Sequence, residues 1–107
     1  MATFGEVVDA TLPEGAGEDS FSVLPFFLGQ EPAQARAPIV HHSVNGTFAL
    51  RDGPWKLVFG SGSGGRGRPR SAPWREPYQL YNMHDDPSET TNRIDDPNCA
   101  EVVQRLI

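Results

Sequence analysis

The 107-residue sequence is poor in cysteine, in long apolar runs and in positive charge. Its single cysteine, Cys99, excludes an internal disulfide and a zinc site built on several cysteines. No apolar run approaches the roughly 20 residues of a membrane helix, and the first residues lack the basic start and apolar stretch of a signal peptide. The net charge of −5 opposes general nucleic-acid binding, because the phosphate backbone would be repelled. We therefore expect neither a nucleic-acid nor a membrane partner.

Glycine and proline are abundant instead, with 11 and 10 residues. Both residue types are unfavourable inside helices and strands, so loops must make up a large fraction of the chain. The hydrophobic fraction of 37% is nevertheless that of a folded protein. The length allows one small domain with a modest core.

Apolar residues at helical spacing predict two short helices near the start of the chain. The first is expected over residues 3–12, with Thr3 and Glu6 forming a capping box. The second is expected over residues 21–28 and should be closed by Gly29. Gln30 to Ala37 then forms a linker.

A four-stranded antiparallel sheet is predicted for the middle of the chain. Asn45-Gly46 readily supplies the positive φ angles of a tight hairpin turn, and Asp52-Gly53 marks a second turn. A sheet of three strands with one apolar face is marginal, which favours a fourth strand. The expected strands are 39–43, 47–51, 55–59 and 78–81.

The rest of the chain divides into a loop and a final helix. Residues 60–76 hold five glycines and four arginines, which predicts a mobile loop. A short helical turn is expected at Asp86-Pro87-Ser88-Glu89, and Asp95-Asp96-Pro97 begins a last helix with an apolar stripe. The predicted fold class is α+β, with two short helices followed by a small four-stranded antiparallel sheet and a C-terminal helix that covers one sheet face.

His41-His42-Ser43 is the main cluster of side chains that often act in catalysis. On a strand the two histidines point to opposite faces, so they cannot chelate one metal as a pair. One imidazole at a strand end can line a pocket and hold an anionic or sugar substrate. The alternative is two ordinary strand histidines with no role. We find no complete catalytic constellation and no metal site.

Three further segments have the composition of a binding motif without the complete motif. Gly60 to Gly65 has the glycines of a phosphate-binding loop but not its Lys-Ser/Thr ending. The arginines that follow, with Trp74 and Tyr78, are compatible with an electropositive lip for sulfate, phosphate or single-stranded nucleic acid, or with a solvated loop. Asp85, Asp86 and Glu89 lack the spacing of a calcium loop.

Four strings, in one order and at similar separations, resemble a known family over nearly the whole chain. It is the formylglycine-dependent sulfatases of the arylsulfatase A-like group, in their C-terminal part. The strings are Met1-Ala2-Thr3-Phe4 with Leu12-Pro13, Glu18-Asp19-Ser20-Phe21-Ser22 with Leu24-Pro25 and Leu28-Gly29, Phe48-Ala49-Leu50-Arg51-Asp52-Gly53 with Trp55-Lys56-Leu57, and Tyr78-Gln79-Leu80-Tyr81-Asn82 with Asp86-Pro87-Ser88-Glu89.

The resemblance implies a C-terminal subdomain attached to an alkaline-phosphatase-like catalytic domain. In the family, a Cys or Ser in Cys-x-Pro-x-Arg becomes the formylglycine nucleophile, and Asp and Asn side chains hold calcium. None of these positions lies in this segment, since Cys99 lacks the required Pro and Arg. We therefore expect no catalytic residue and no bound cofactor here, although the whole enzyme would use calcium and formylglycine. Because Met1 falls at an internal position of the family pattern, we interpret the chain as a fragment.

Two functions remain open. In the first, residues 1–37 end the catalytic domain and residues 38–107 form the C-terminal subdomain of a sulfuric ester hydrolase. This piece would buttress the missing catalytic domain, help to bind a sulfate ester and be inactive alone, and the whole enzyme would be extracytoplasmic, either periplasmic or secreted. Of the two substrate-lining candidates we favour His42, which lies nearer the hairpin turn, and expect a structural role for His41. In the second, the chain is a non-enzymatic module that binds anions or a protein.

Overall fold

The computed structural model describes residues 1–31, 36–70 and 72–107. They fall into two compact units, Met1–Ala35 and Arg36–Ile107. The predicted linker over residues 30–37 includes residues 32–35, which lie outside the described residues. Within the described ranges, no helix has the length and apolar character needed to cross a membrane.

The first unit contains two helices, α1 (Ala2–Val7) and α2 (Leu24–Phe27). Helix α1 is shorter than predicted because Asp9 adopts a positive φ of 51°. The chain then turns back, and the Ala10 amide donates to the Gly5 carbonyl at 2.8 Å. The predicted capping box is also wrong, since the Thr3 hydroxyl accepts from the Val23 amide at 3.0 Å instead.

Helix α2 ends at the glycine that the sequence indicated. Gly29 has a φ of 68°, and its amide donates to the Phe26 carbonyl at 3.1 Å. The next amide, of Gln30, donates to the Pro25 carbonyl at 2.8 Å. This pair of bonds is the Schellman arrangement that glycine favours, because it has no Cβ to strain.

The second unit is built on β-strands. They are β1 (Ile39–His42), β2 (Phe48–Asp52), β3 (Trp55–Val58), β4 (Gly60–Ser61), β5 (Ala72–Pro73) and β6 (Gln79–Asn82). An antiparallel four-stranded sheet has the order β1-β2-β3-β6, which confirms the predicted α+β fold. Strands β4 and β5 pair with each other as a small ribbon that intervenes before β6.

The first hairpin turns at Asn45-Gly46, as predicted, but only one residue of that pair has the expected positive φ. His42 pairs with Phe48, and only Gly46 in the loop has a positive φ, of 76°. The Gly46 amide donates to the Ser43 carbonyl at 2.9 Å, and the Ser43 amide donates to the Thr47 carbonyl at 2.9 Å. This is a three-residue loop with glycine in the left-handed position, a common alternative to the two-residue turn.

The predicted mobile loop over residues 60–76 contains an ordered ribbon. Gly60 pairs with Pro73, and the ribbon backbones approach so closely that a Cβ on Gly62 would lie 2.6 Å from the Arg70 carbonyl oxygen. Gly62 also has a φ of 76°. The glycines therefore permit close pairing of two chain segments rather than a phosphate cradle. Ser71 lies outside the described residues.

The core lies between one sheet face and the C-terminal helix. A 3₁₀ turn (Pro97–Cys99) leads into α3 (Ala100–Leu106). The Asp96 carboxylate accepts from the Asn98 amide at 3.0 Å, as the sequence predicted for a helix start. Leu57 and Leu80 pair across β3 and β6, are fully buried, and pack with Cys99 and Leu106.

The predicted helical turn at Asp86–Glu89 does not form. The Asp86 carboxylate instead accepts from the Thr90 and Thr91 amides at 3.0 and 2.8 Å. Glu89 has a positive φ of 55°. The side chain of Asp86 thus closes a turn by bonding to backbone donors.

Candidate functional site

A cleft of about 450 Å³ lies on the sheet face opposite α3. Side chains alternate along a strand, so the residues in register with Ala49 share a face that the Leu57–Leu80 core does not use. Ala49 and Val58 are buried here with Tyr81. Polar side chains that line the cleft include His41, Lys56, Ser63, Gln79, Tyr81 and Glu89.

Gln79 fixes the ribbon to the sheet. Its side-chain amide donates to the Gly60 carbonyl at 2.9 Å and to the Gly62 carbonyl at 3.0 Å. Its oxygen accepts from the Tyr81 hydroxyl at 2.8 Å. One side chain therefore satisfies two ribbon carbonyls and orients the phenol beside them.

Lys56 and Glu89 form an ion pair at the cleft. The Lys56 Nζ lies 2.6 Å from Glu89 Oε1, and the two side chains are only 24% and 32% exposed. Partial burial strengthens such a pair relative to a surface pair, because less water screens it. The pair attaches the loop after β6 to the central strand β3 and sets opposite charges in the cleft.

Tyr81 contributes a neutral hydroxyl group to the cleft. Burial raises the pKa of the Tyr81 phenol above its ordinary value of 10.0, and the negative charges of Glu89 and Asp86 raise it further. The phenol therefore keeps its proton through the neutral range and continues to donate to Gln79.

The two histidines lie on opposite faces of β1. His41 is in register with Ala49 and so shares the cleft face, whereas His42 is in register with Phe48. The rings of His42 and Phe48 have centroids 5.4 Å apart. The His42 Nδ1 lies 2.8 Å from the Ser43 carbonyl oxygen. Both residues border the cleft, and whether either contacts a substrate stays a prediction.

An aromatic row continues from His42 along the other face. The next rings in contact are, in order, Phe48, Trp74, Phe59 and Tyr78. The centroids of neighbouring rings lie 5.3 to 5.5 Å apart. Tilted and edge-on pairs of this kind add to the stability gained by burial. Trp74 and Tyr78, expected near an anion-binding lip, therefore take part in packing the ribbon against the sheet.

The acidic residues after β6 do not fit a calcium site. Asp86 binds backbone amides, Glu89 pairs with Lys56, and Asp85 pairs with His84 at 2.9 Å. Across residues 1–31, 36–70 and 72–107, no three His, Cys, Asp or Glu side chains are grouped to hold a metal ion. Cys99 is buried in the core, where it cannot reach a substrate.

Sequence reasoning missed four of the cleft residues, which are Lys56, Gln79, Tyr81 and Glu89. Lys56 and Glu89 are 33 positions apart, and no local pattern connects them. Tyr81 and Gln79 were assigned only to a strand. One sequence signal was available. Side chains alternate along the predicted strand 78–81, and pairing of this strand with Val58 assigns Gln79 and Tyr81 to the sheet face of His41.

We expect the Tyr81 phenol to titrate above pH 10 in the folded chain. Its pKa is raised on folding, so its contribution to stability is present below the unfolded value of 10.0 and is lost as the pH rises beyond it. Tyr81→Phe lacks this ionisable group. As the pH rises above 10, its free energy of unfolding should therefore fall less than that of wild type. Ultraviolet difference titration of the two proteins isolates the Tyr81 signal, and ionisation below pH 10 would contradict this environment.

No protein-family model matches the chain, and no curated protein matches it. Solved structures do match, and three of them are sulfatases. The first is a Bacteroides thetaiotaomicron sulfatase from a core genetic locus for the metabolism of multiple glycosaminoglycans. It is 30% identical with a TM-score of 0.64, over 98% of this chain and 22% of its own.

Two further matches show the same fold at lower identity. A putative sulfatase from Bacteroides thetaiotaomicron is 19% identical with a TM-score of 0.62, over 97% of this chain and 21% of its own. A 2-O GAG sulfatase is 19% identical with a TM-score of 0.63, with the same two coverages of 97% and 21%. Over nearly its whole length, the chain therefore resembles a segment of sulfatases and spans about a fifth of their length.

Proposed function

We propose that the chain is the C-terminal part of a formylglycine-dependent sulfatase of the arylsulfatase A-like group. It buttresses an alkaline-phosphatase-like catalytic domain and lines its substrate pocket. The match of almost the whole chain to sulfatase structures carries the proposal. The order of the sequence strings supports the position at the C-terminal end.

Exposed apolar side chains on the first unit support the buttressing role. Phe27 is 78% exposed and Phe4 is 79% exposed, so large rings point away from the small helical unit. Further exposed apolar residues are Val7, Val8, Phe21, Phe26 and Leu28. Monomeric proteins rarely expose contiguous apolar patches of more than a few hundred Å². A larger catalytic domain is the partner that such a surface fits.

The cleft on the sheet is the proposed contribution to substrate binding. His41 and the Lys56 ammonium are donors suited to a sulfate ester, and the Tyr81 hydroxyl oxygen can accept from a sugar hydroxyl. The names of two similar structures refer to glycosaminoglycans, which supports a sulfated saccharide as substrate. The formylglycine and calcium would belong to the rest of the enzyme, since Asp85, Asp86 and Glu89 already have other partners. An extracytoplasmic location of the whole enzyme is part of the same proposal.

A non-enzymatic anion-binding module is the second candidate. The exposed arginines of residues 60–76 favour it. A genomic reading frame that encodes Cys-x-Pro-x-Arg or its Ser counterpart in one polypeptide with this segment would decide for the sulfatase.

We expect the purified 107-residue chain to show no sulfatase activity. Its thiol is buried, and its described acidic side chains do not fit a metal site. The assay is hydrolysis of an aryl sulfate with added calcium, compared with a buffer blank. Turnover above the blank that a chelator abolishes would refute the proposal that the nucleophile and the metal ligands lie outside this chain.

In a whole sulfatase that carries this segment, we expect His41→Ala to lower kcat/KM by the equivalent of about 1–3 kcal/mol, the scale of a lost charged hydrogen bond. His41 is preferred here because it shares the cleft face. We expect His42→Ala mainly to lower thermal stability, since it removes the ring contact with Phe48.

His84→Ala is the matched control, because His84 is highly exposed and bonds only within its own turn among the described residues. Its kinetic constants should equal those of wild type. Unchanged kcat/KM for His41→Ala would contradict a substrate role for His41. A kinetic defect in His42→Ala alone would instead support the choice made from the sequence.

A further inference from the structure

Positive charge is concentrated in one segment of this acidic chain. Residues 60–76 contain four of the nine basic residues and only one acid, Glu76, although the whole chain has a net charge of −5. We define the arginine surface as Arg66, Arg68, Arg70 and Arg75 together with Trp74. All five residues are exposed.

The guanidinium groups of this surface have no acidic partner in the described part of the chain. The ion pairs found there use other cations: Lys56 with Glu89, Arg93 with Asp96, and Arg105 with Asp52. An unpaired, exposed guanidinium is available to an external anion, and its planar fork of donors matches the oxygens of a tetrahedral oxyanion.

Trp74, which directly precedes Arg75 in the chain, supplies a fixed apolar plane. It is 59% exposed and has a positive φ of 57°. Its amide donates to the Phe59 carbonyl at 2.8 Å, and its ring packs against the rings of Phe48 and Phe59. The indole is thus held by the aromatic row while much of it remains open to solvent, where it can contact the apolar face of a sugar ring.

The ribbon is connected to the cleft on the sheet. Gln79 holds the carbonyls of Gly60 and Gly62, and the next residues of the ribbon, Ser63 and Gly64, border the cleft. A long ligand that enters the cleft can therefore continue over the arginine surface. A small sulfate ester would end before it.

We propose that the arginine surface binds the multiply sulfated saccharide chain of a polymeric substrate, outside the cleft that receives the reacting ester. The inference rests on the proposed function for the choice of a sulfated saccharide. Several unpaired guanidinium groups suit a ligand with repeated anionic groups. A single-stranded nucleic acid fits less well, because such binders offer several exposed rings to successive bases and this segment has only Trp74.

The test measures binding by the full 107-residue chain to a size-defined heparin oligosaccharide, by titration calorimetry at several salt concentrations. We expect saturable binding that weakens with salt. Arg66→Gln/Arg68→Gln should lower the affinity by at least about tenfold and flatten the salt dependence, since two anion contacts are lost. The matched control is Arg36→Gln/Arg93→Gln, which makes the same change in net charge elsewhere and should bind within about twofold of wild type.

Three results would overturn the proposal. They are the absence of saturable binding by the wild-type chain, an equal loss in the control variant, and tighter binding of a single-stranded oligonucleotide of equal charge. Thermal melts of both variants that match wild type show that each change acts on binding rather than on folding. The assay involves no turnover, so its failure leaves the proposed sulfatase role standing, and an inactive whole enzyme would refute that role separately.

Discussion

The packing of Leu57 and Leu80 against the C-terminal helix is the interaction on which the second unit depends. Both side chains are fully buried, and they pack against Cys99 and Leu106 on the same face of the sheet. Because side chains alternate along a strand, burying this face commits the neighbouring residues to the other one. The cleft is a direct consequence, since Lys56 and Tyr81 occupy the positions next to the two leucines.

The fold was predictable because local sequence signals specify it, whereas the cleft depends on contacts between residues that are distant in sequence. Helix ends and turns at Gly29, Gly53 and Asp96 depend on the conformations and caps of adjacent residues, so the sequence signals them locally. The order β1-β2-β3 followed from short connections between neighbouring strands, whereas the β4–β5 ribbon separates β3 from β6 along the chain. In contrast, the contact between Lys56 and Glu89 joins residues far apart in sequence.

The wrong predictions share a physical cause, which is competition from a partner that local patterns do not show. Thr3 fits a capping box, yet its hydroxyl binds a backbone amide of the second helical segment. Asp86 fits a helix start, yet its carboxylate closes a turn with Thr90 and Thr91. Glycines over residues 60–76 suggested mobility, yet their lack of side chains allows two chain segments to pair.

The second unit has a core of its own, whereas the first exposes its largest apolar side chains. If those surfaces are built to meet a catalytic domain, the chain alone should be marginally stable and should self-associate. Thermal unfolding measured over a hundredfold range of protein concentration, with sedimentation of the same samples, tests this most directly. We expect concentration-dependent unfolding and oligomers. A clean monomer with a cooperative, concentration-independent transition would contradict the claim that the exposed apolar side chains of the first unit meet a catalytic domain.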